Sequence, residues 1–116
     1  MECKIKGELG TLLVAEEVIA ALAGNSCLES YGIVAMGKKR PGDGIVEFFK
    51  RDNLTKGVKV ATKEDTVNIN LHIIVEYGVS IAAVAKTAME SVKYNVETFS
   101  GARVERVNVF VEGIRV

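Results

Sequence analysis

Several residue types are scarce in this chain, and each scarcity argues against a class of protein. The 116 residues include no tryptophan, one proline and one histidine, and the 15 basic residues are balanced by 15 acidic ones. A chain without net charge has no overall field that would attract nucleic acid or an anionic membrane. No apolar run approaches the roughly 20 residues that span a bilayer, and residues 1–10 lack the apolar core of a signal peptide. We therefore expect a cytoplasmic protein with no membrane span of its own.

The residues that usually carry metal and catalytic chemistry are also few. Cys3 and Cys27, the two cysteines, stand in unrelated contexts and cannot by themselves form the four-ligand set of a structural zinc site. Cys27 falls on the apolar side of a predicted helix and is expected in the core, whereas Cys3 is expected to be exposed. His72, the only histidine, has no partner that periodicity identifies. We therefore expect no enzyme activity, no metal and no cofactor.

The apolar residues, 48% of the chain, follow spacings that predict one α+β domain over residues 1–116. Helical spacing predicts one helix over residues 16–29 and a longer one from the N-cap Ser80 to the stop at Gly101. Alternation predicts strands at residues 10–14, 33–36, 57–62, 67–77 and 103–116. This order predicts a two-layer sandwich, in which helices pack on one face of a small mixed sheet, KH-like in size and layout.

The inner face of this sheet is predicted to include Tyr77, and the apolar side of the long helix is predicted to include Ile81 and Phe99. The opposite sheet face is more polar. It carries four residues that we take as the candidate interaction surface: Asn70, His72, Ile74 and Phe110. Apolar residues on such a face are equally well explained as surface scatter or as anchors for a homotypic or partner contact.

Residues 37–44 contain three glycines and the only proline, which predicts an exposed loop, and the spacing after it predicts a short amphipathic helix at residues 45–53. The loop lacks the Gly-Lys-Ser/Thr ending of a nucleotide-binding loop. Its three bases are candidate contacts for a phosphate or an anionic lipid head, although short basic runs usually lie in solvated loops. These candidates are Lys38, Lys39 and Arg40.

The run Gly7-Glu8-Leu9-Gly10 has the spacing of the loop with which KH domains bind an RNA backbone. That loop joins two helices and normally carries bases. Here it carries Glu8 and precedes an apolar run, so we interpret the spacing as chance.

Four stretches resemble one known family in the same order along the chain. They are GTLLVAEEVIA at residues 10–20, YGIVAM at 31–36, VNINLHIIVEYG at 67–78 and VNVFVEGIRV at 107–116. Together they resemble the alkaline shock protein family of Gram-positive bacteria, also called the Gls24 envelope stress response family. The family usually has serine before the first helix, where this chain has Ala15, a difference that costs about 1 kcal/mol of helix capping.

The resemblance implies a non-enzymatic cytoplasmic protein of cell-envelope homeostasis and stress response, acting as a scaffold or adaptor through protein contacts. It also implies self-association and, in some members, attachment at the inner face of the membrane through a separate anchor protein. The loop from Lys38 and residues 47–55 are similar to a subgroup often encoded beside a fatty-acid or dihydroxyacetone kinase-like protein, so an accessory role in lipid metabolism is one alternative. A KH-like nucleic-acid-binding module is another, which the neutral charge disfavours.

Overall fold

The structure, a computed structural model, describes residues 2–30, 32–36 and 57–116. These ranges contain six strands and two helices, which follow one another as β1 (Glu2–Lys6), β2 (Thr11–Ala15), α1 (Glu16–Leu28), β3 (Ile33–Met36), β4 (Val58–Lys63), β5 (Thr66–Glu76), α2 (Ile81–Ser100) and β6 (Arg103–Arg115). The predicted loop at 37–44 and the predicted helix at 45–53 lie outside the described residues. Neither described helix has the length and hydrophobicity needed to cross a lipid bilayer.

Strand β5 is the centre of a four-stranded mixed sheet. β6 runs parallel to it along its whole length, from Thr66 opposite Arg103 to Glu76 opposite Arg115. The other edge of β5 is shared, because β4 pairs antiparallel with its first half and β3 with its second half. The sheet is therefore three strands wide, with β3 and β4 lying end to end.

The inner face of β5 forms the middle of the hydrophobic core. Its alternate residues are 0% exposed: Val67, Ile69, Leu71, Ile73 and Val75. They belong to one cluster with Ile19 and Ala23 of α1 and with Val92 and Val96 of α2. The predicted α+β sandwich, with helices on one face of a small mixed sheet, is confirmed.

The ends of α2 follow the predicted signals. The hydroxyl of Ser80 accepts a hydrogen bond from the backbone N–H of Ala83 at 3.4 Å. At the other end Gly101 adopts φ 79 and its N–H donates to the carbonyl of Glu97 at 3.0 Å. Such a left-handed residue ends a helix at little cost only when it lacks a Cβ. Ala15 caps α1 without a side-chain hydrogen bond, as the sequence predicts.

The amino-terminal strand β1 is missing from the sequence-based prediction. It pairs antiparallel with β2, and Gly7 and Gly10 close the turn through hydrogen bonds of 2.8 and 3.3 Å between their backbone groups. The run at residues 7–10 is thus a β-hairpin turn rather than a connection between helices. Cys3, predicted to be exposed, is buried in this hairpin, because its face of β1 packs on the core. Burial, with the Asp65 carboxylate as a second cause, raises the pKa of its thiol.

Three residues predicted to face the core are exposed instead. Tyr77 and Phe99 are each 71% exposed and Ile81 is 42% exposed. β5 ends at Glu76, so the alternation does not extend to Tyr77. Ile81 and Phe99 lie in the first and last turns of α2, and the apolar stripe is buried only between these turns.

Two glycines with similar backbones allow the effect of one close contact to be measured. Gly32 has φ 90 and a Cβ there would lie 2.8 Å from Cγ2 of Val84, whereas Gly78 has φ 96 and open space around it. We expect Gly78→Ala to lower the free energy of unfolding by about 1–2 kcal/mol through backbone strain alone. Gly32→Ala should lower it by a further 1–3 kcal/mol, roughly, because the core is overpacked. Equal losses in urea denaturation would contradict the predicted clash.

Burial of the Cys27 thiol predicts a loss of stability in alkali. Its pKa is raised from 9.0 to about 12. Above pH 9.0 the unfolded chain releases this proton while the folded chain retains it until about pH 12, so rising pH favours unfolding. Between pH 9.0 and about 12, the free energy of unfolding should fall with rising pH more slowly in Cys27→Ala than in the unchanged chain. The expected difference in slope is about 1 kcal/mol per pH unit. Urea denaturation at several pH values tests this, and parallel pH profiles for the two proteins would contradict it.

Candidate functional site

The outer face of the sheet, which we define as the face turned away from the helices, carries the residues that the sequence singles out. The register places Asn70 of β5 opposite Asn108 of β6 and His72 opposite Phe110. Ile74 follows on the same face of β5. The structure therefore brings together the four residues of the candidate interaction surface on two neighbouring strands.

His72 is held by two residues of β6. Its Nδ1 lies 2.8 Å from Oε2 of Glu112, and its ring stacks on the ring of Phe110 with centroids 4.9 Å apart and an interplanar angle of 16°. The His72 side chain is 14% exposed, so these contacts replace most of its hydration. The sequence alone could not identify Glu112 as a partner of His72, because that requires the β5–β6 register.

Asparagine side chains continue the same surface toward the start of the strands. The amide nitrogen of Asn108 donates to the side-chain oxygen of Asn70 at 2.9 Å. The side-chain oxygen of Asn68 is buried and has no hydrogen-bond partner among the described residues. Because Asn70 and His72 are both bonded across to β6, the middle of the face is fixed before anything binds to it.

Charged residues surround this fixed centre. Lys59 and Lys63 of β4 lie opposite Asn70 and Thr66, and Arg106 of β6 lies opposite Asn68. Alternation directs these side chains to the outer face. The result is a partly apolar centre with a charged rim, which is the usual anatomy of a protein interface.

The candidate anion contacts, Lys38, Lys39 and Arg40, lie outside the described residues. Among the residues that are described, no group of three His, Cys, Asp or Glu side chains is arranged to hold a metal ion. What the outer face offers chemically is a rigid pattern of hydrogen-bonding groups and one exposed aromatic ring.

A second apolar surface was not predicted. Leu12 and Leu13 of β2 are each 53% exposed, and Val18 of α1 is 51% exposed. An open depression of about 350 Å³ lies on the same helix and is lined by Glu17, Val18, Ala21, Leu22 and Asn25. The sequence does contain a signal for this surface. Apolar residues occur around most of the circumference of α1, whereas a helix that packs on the core with one face needs them on that face only.

The contact between His72 and Glu112 can be measured by a double-mutant cycle. We expect a coupling free energy of about 1 kcal/mol between His72→Ala and Glu112→Ala, because the hydrogen bond is partly shielded from water. Urea denaturation at one neutral pH gives the four unfolding free energies. Lys59→Ala combined with Glu112→Ala is the control. These two changes should be additive, since Lys59 is on β4 and Glu112 on β6, and β5 lies between these strands. Additivity in the His72 cycle would show that the contact contributes nothing.

Known proteins are similar to this chain over nearly its whole length. It is 36% identical over 117 residues to the uncharacterized protein YloU of Bacillus subtilis, covering 100% of this chain and 98% of that protein. It is 32% identical over 117 residues to the uncharacterized protein Spy1614 of Streptococcus pyogenes, covering 100% and 97%. No solved structure matches the chain significantly. The profile of the alkaline shock protein 23 family, whose description is a cell envelope-related function, matches residues 4–116. The resemblance drawn from the sequence is therefore confirmed, and the chain belongs to this family.

Proposed function

We propose that this protein is a non-enzymatic adaptor of the cell envelope that binds a protein partner through the outer face of its sheet. The observation that carries the proposal is the contact of His72 with both Phe110 and Glu112 in the middle of that face. Family membership supports an envelope-related role. In this proposal the protein acts in the cytoplasm, free or at the inner face of the membrane through its partner.

The geometry of Phe110 favours binding. Its ring is 47% exposed and stacks on His72, which Glu112 holds in turn. A ring that is already fixed loses little conformational entropy when a partner covers it. Aromatic residues near the centre of an interface commonly supply much of the binding free energy, whereas rim charges contribute mainly to orientation and rate. Phe110 is therefore the expected anchor, with Lys59 and Arg106 at the rim.

The alternative functions differ in how well the structure supports them. The KH-like alternative rests on the likeness of the fold alone. Residues 7–10 add nothing to it, because they form a hairpin turn between β1 and β2 and do not join two helices. In the lipid-metabolism alternative, the partner would be a fatty-acid or dihydroxyacetone kinase-like protein, and the same outer face would bind it. This second role changes the identity of the partner and leaves the proposed surface unchanged.

The test is to replace the anchor and measure partner capture in the native host. Phe110→Asp should reduce the recovery of envelope proteins, or of the kinase-like protein, because removal of an interface anchor costs about 2 kcal/mol, roughly a thirtyfold loss of affinity. Affinity purification with quantitative mass spectrometry provides the measurement. A strain that carries only this variant should also be as sensitive to envelope damage as a strain that lacks the protein.

The matched control is Phe99→Asp. Phe99 is exposed on α2, on the other side of the molecule from the outer face, so the same substitution there should leave capture unchanged. Thermal unfolding of both variants shows whether they remain folded. If folded Phe110→Asp captures the same proteins as the unchanged chain, the outer face is not the binding surface.

A further inference from the structure

The outer face carries unpaired positive charge at one end. Lys59 and Lys63 lie on this side of β4, two residues to either side of Ala61, and Arg106 lies on the same side of β6. All three basic residues are exposed, and none of them forms an ion pair within the described ranges. We call Lys59, Lys63 and Arg106 the basic triangle.

The basic triangle surrounds a floor of shorter side chains. Ala61 of β4 and Arg106 of β6 both lie opposite Asn68 of β5, so Ala61 and Asn68 lie between the three long basic side chains. The side-chain oxygen of Asn68 is buried there without a hydrogen-bond partner among the described residues, which costs free energy. A half-turn of this amide exchanges its oxygen for its NH2 group, so Asn68 can offer a ligand either an acceptor or a donor.

The acidic residues nearby leave the charge of the triangle unpaired. Asp65, on the turn between β4 and β5, is paired with Arg103 at 3.5 Å. Glu64 and Glu105 adjoin members of the triangle in the sequence, but within the described part of the chain neither forms an ion pair with it. The triangle is therefore available to a negatively charged ligand.

Charge and apolar surface are separated along the strands. Arg106 and Phe110 lie on the same side of β6 four residues apart, a separation of about 13 Å. Beyond Phe110, Arg115 is already paired with Glu76 at 3.6 Å. A ligand that covers Phe110 therefore meets unpaired positive charge on one side only, toward the start of β5.

We propose that the partner presents an acidic segment, whose carboxylates bind in the basic triangle while an apolar side chain of the same segment covers Phe110. This inference rests on the proposed function, because it describes the partner bound at the same face. Opposite charges across an interface orient the partner and speed its association. An extended segment advances about 3.3 Å per residue, so its acidic residues should lie about three or four positions from the apolar one.

An acidic protein segment fits this surface better than a nucleic acid does. Proteins bind single-stranded nucleic acids with a groove of positive charge that follows the backbone and with aromatic rings for successive bases. Among the described residues, the outer face offers one exposed ring and one group of three bases, in a chain without net charge. An apolar anchor beside a small charged group matches instead the centre and rim of a protein interface.

The test is to select ligands for the whole chain from a phage library of short random peptides. Peptides retained by the unchanged chain should contain acidic residues at least about three times as often as basic ones. A variant with both Lys59→Glu and Lys63→Glu should bind these peptides about tenfold more weakly, because it replaces attraction by repulsion. A separate selection on this variant should retain basic peptides instead. High salt should weaken the binding of acidic peptides to the unchanged chain, since salt screens exposed charges.

The matched control carries the same two substitutions on α2, as Lys86→Glu and Lys93→Glu. Both lysines are exposed on the helix side of the molecule, so the net charge changes equally while peptide binding should stay unchanged. Thermal unfolding shows whether the variants remain folded. Arg106→Glu, on a different strand, gives a second reading if the β4 variant does not fold.

Selected peptides without an acidic preference, or acidic peptides that the lysine variant binds as tightly as the unchanged chain does, would overturn the proposal. Tighter binding of phosphatidylglycerol vesicles or of a random RNA pool through the same lysines would also overturn it. Phe110→Asp separates this inference from the proposed function. Peptides that need Phe110 but not the lysines would contradict only the acidic segment, whereas acidic peptides that need the lysines but not Phe110 would contradict only the anchor.

Discussion

The parallel pairing of β5 with β6 determines almost every feature of functional interest. These strands are joined by α2, and their register runs from Thr66 opposite Arg103 to Glu76 opposite Arg115. The pairing buries the inner valines and isoleucines beneath α2 and brings Phe110 and Glu112 to His72 on the other side. The packing of the core and the contacts of the outer face therefore depend on the same strand pairing. A shift of its register would disrupt both.

The two sheet faces also divide the contributions to stability and binding. The inner face is closed and apolar, and its packing supplies most of the hydrophobic stabilisation. The outer face is held by cross-strand contacts such as Asn108 to Asn70, each of which contributes modestly. Substitutions on the outer face can therefore change binding while leaving the fold largely intact.

Much of the architecture was predictable because it depends on local patterns. Alternation from Val67 identified β5, and the signals at Ser80 and Gly101 defined α2. The register of strands about 40 residues apart has no local signal, so the contact between His72 and Glu112 was not predictable. β1 was missed because charged residues alternate with its few apolar ones, which is also typical of an exposed segment. The alternation placed Asn70, His72, Ile74 and Phe110 on one sheet face, as the structure does, but it could not give the contacts between them.

The shared edge of β5 has a consequence for how the chain tolerates change. β3 ends with Met36 opposite Ile73, and the backbone N–H of His72 donates to the carbonyl of Gly57 at 2.7 Å, just before β4 begins. The chain thus leaves the sheet and returns to it at adjacent positions of one strand. Because β5 already holds the two ends of this connection side by side, additional residues between them would add only a small entropic cost of loop closure.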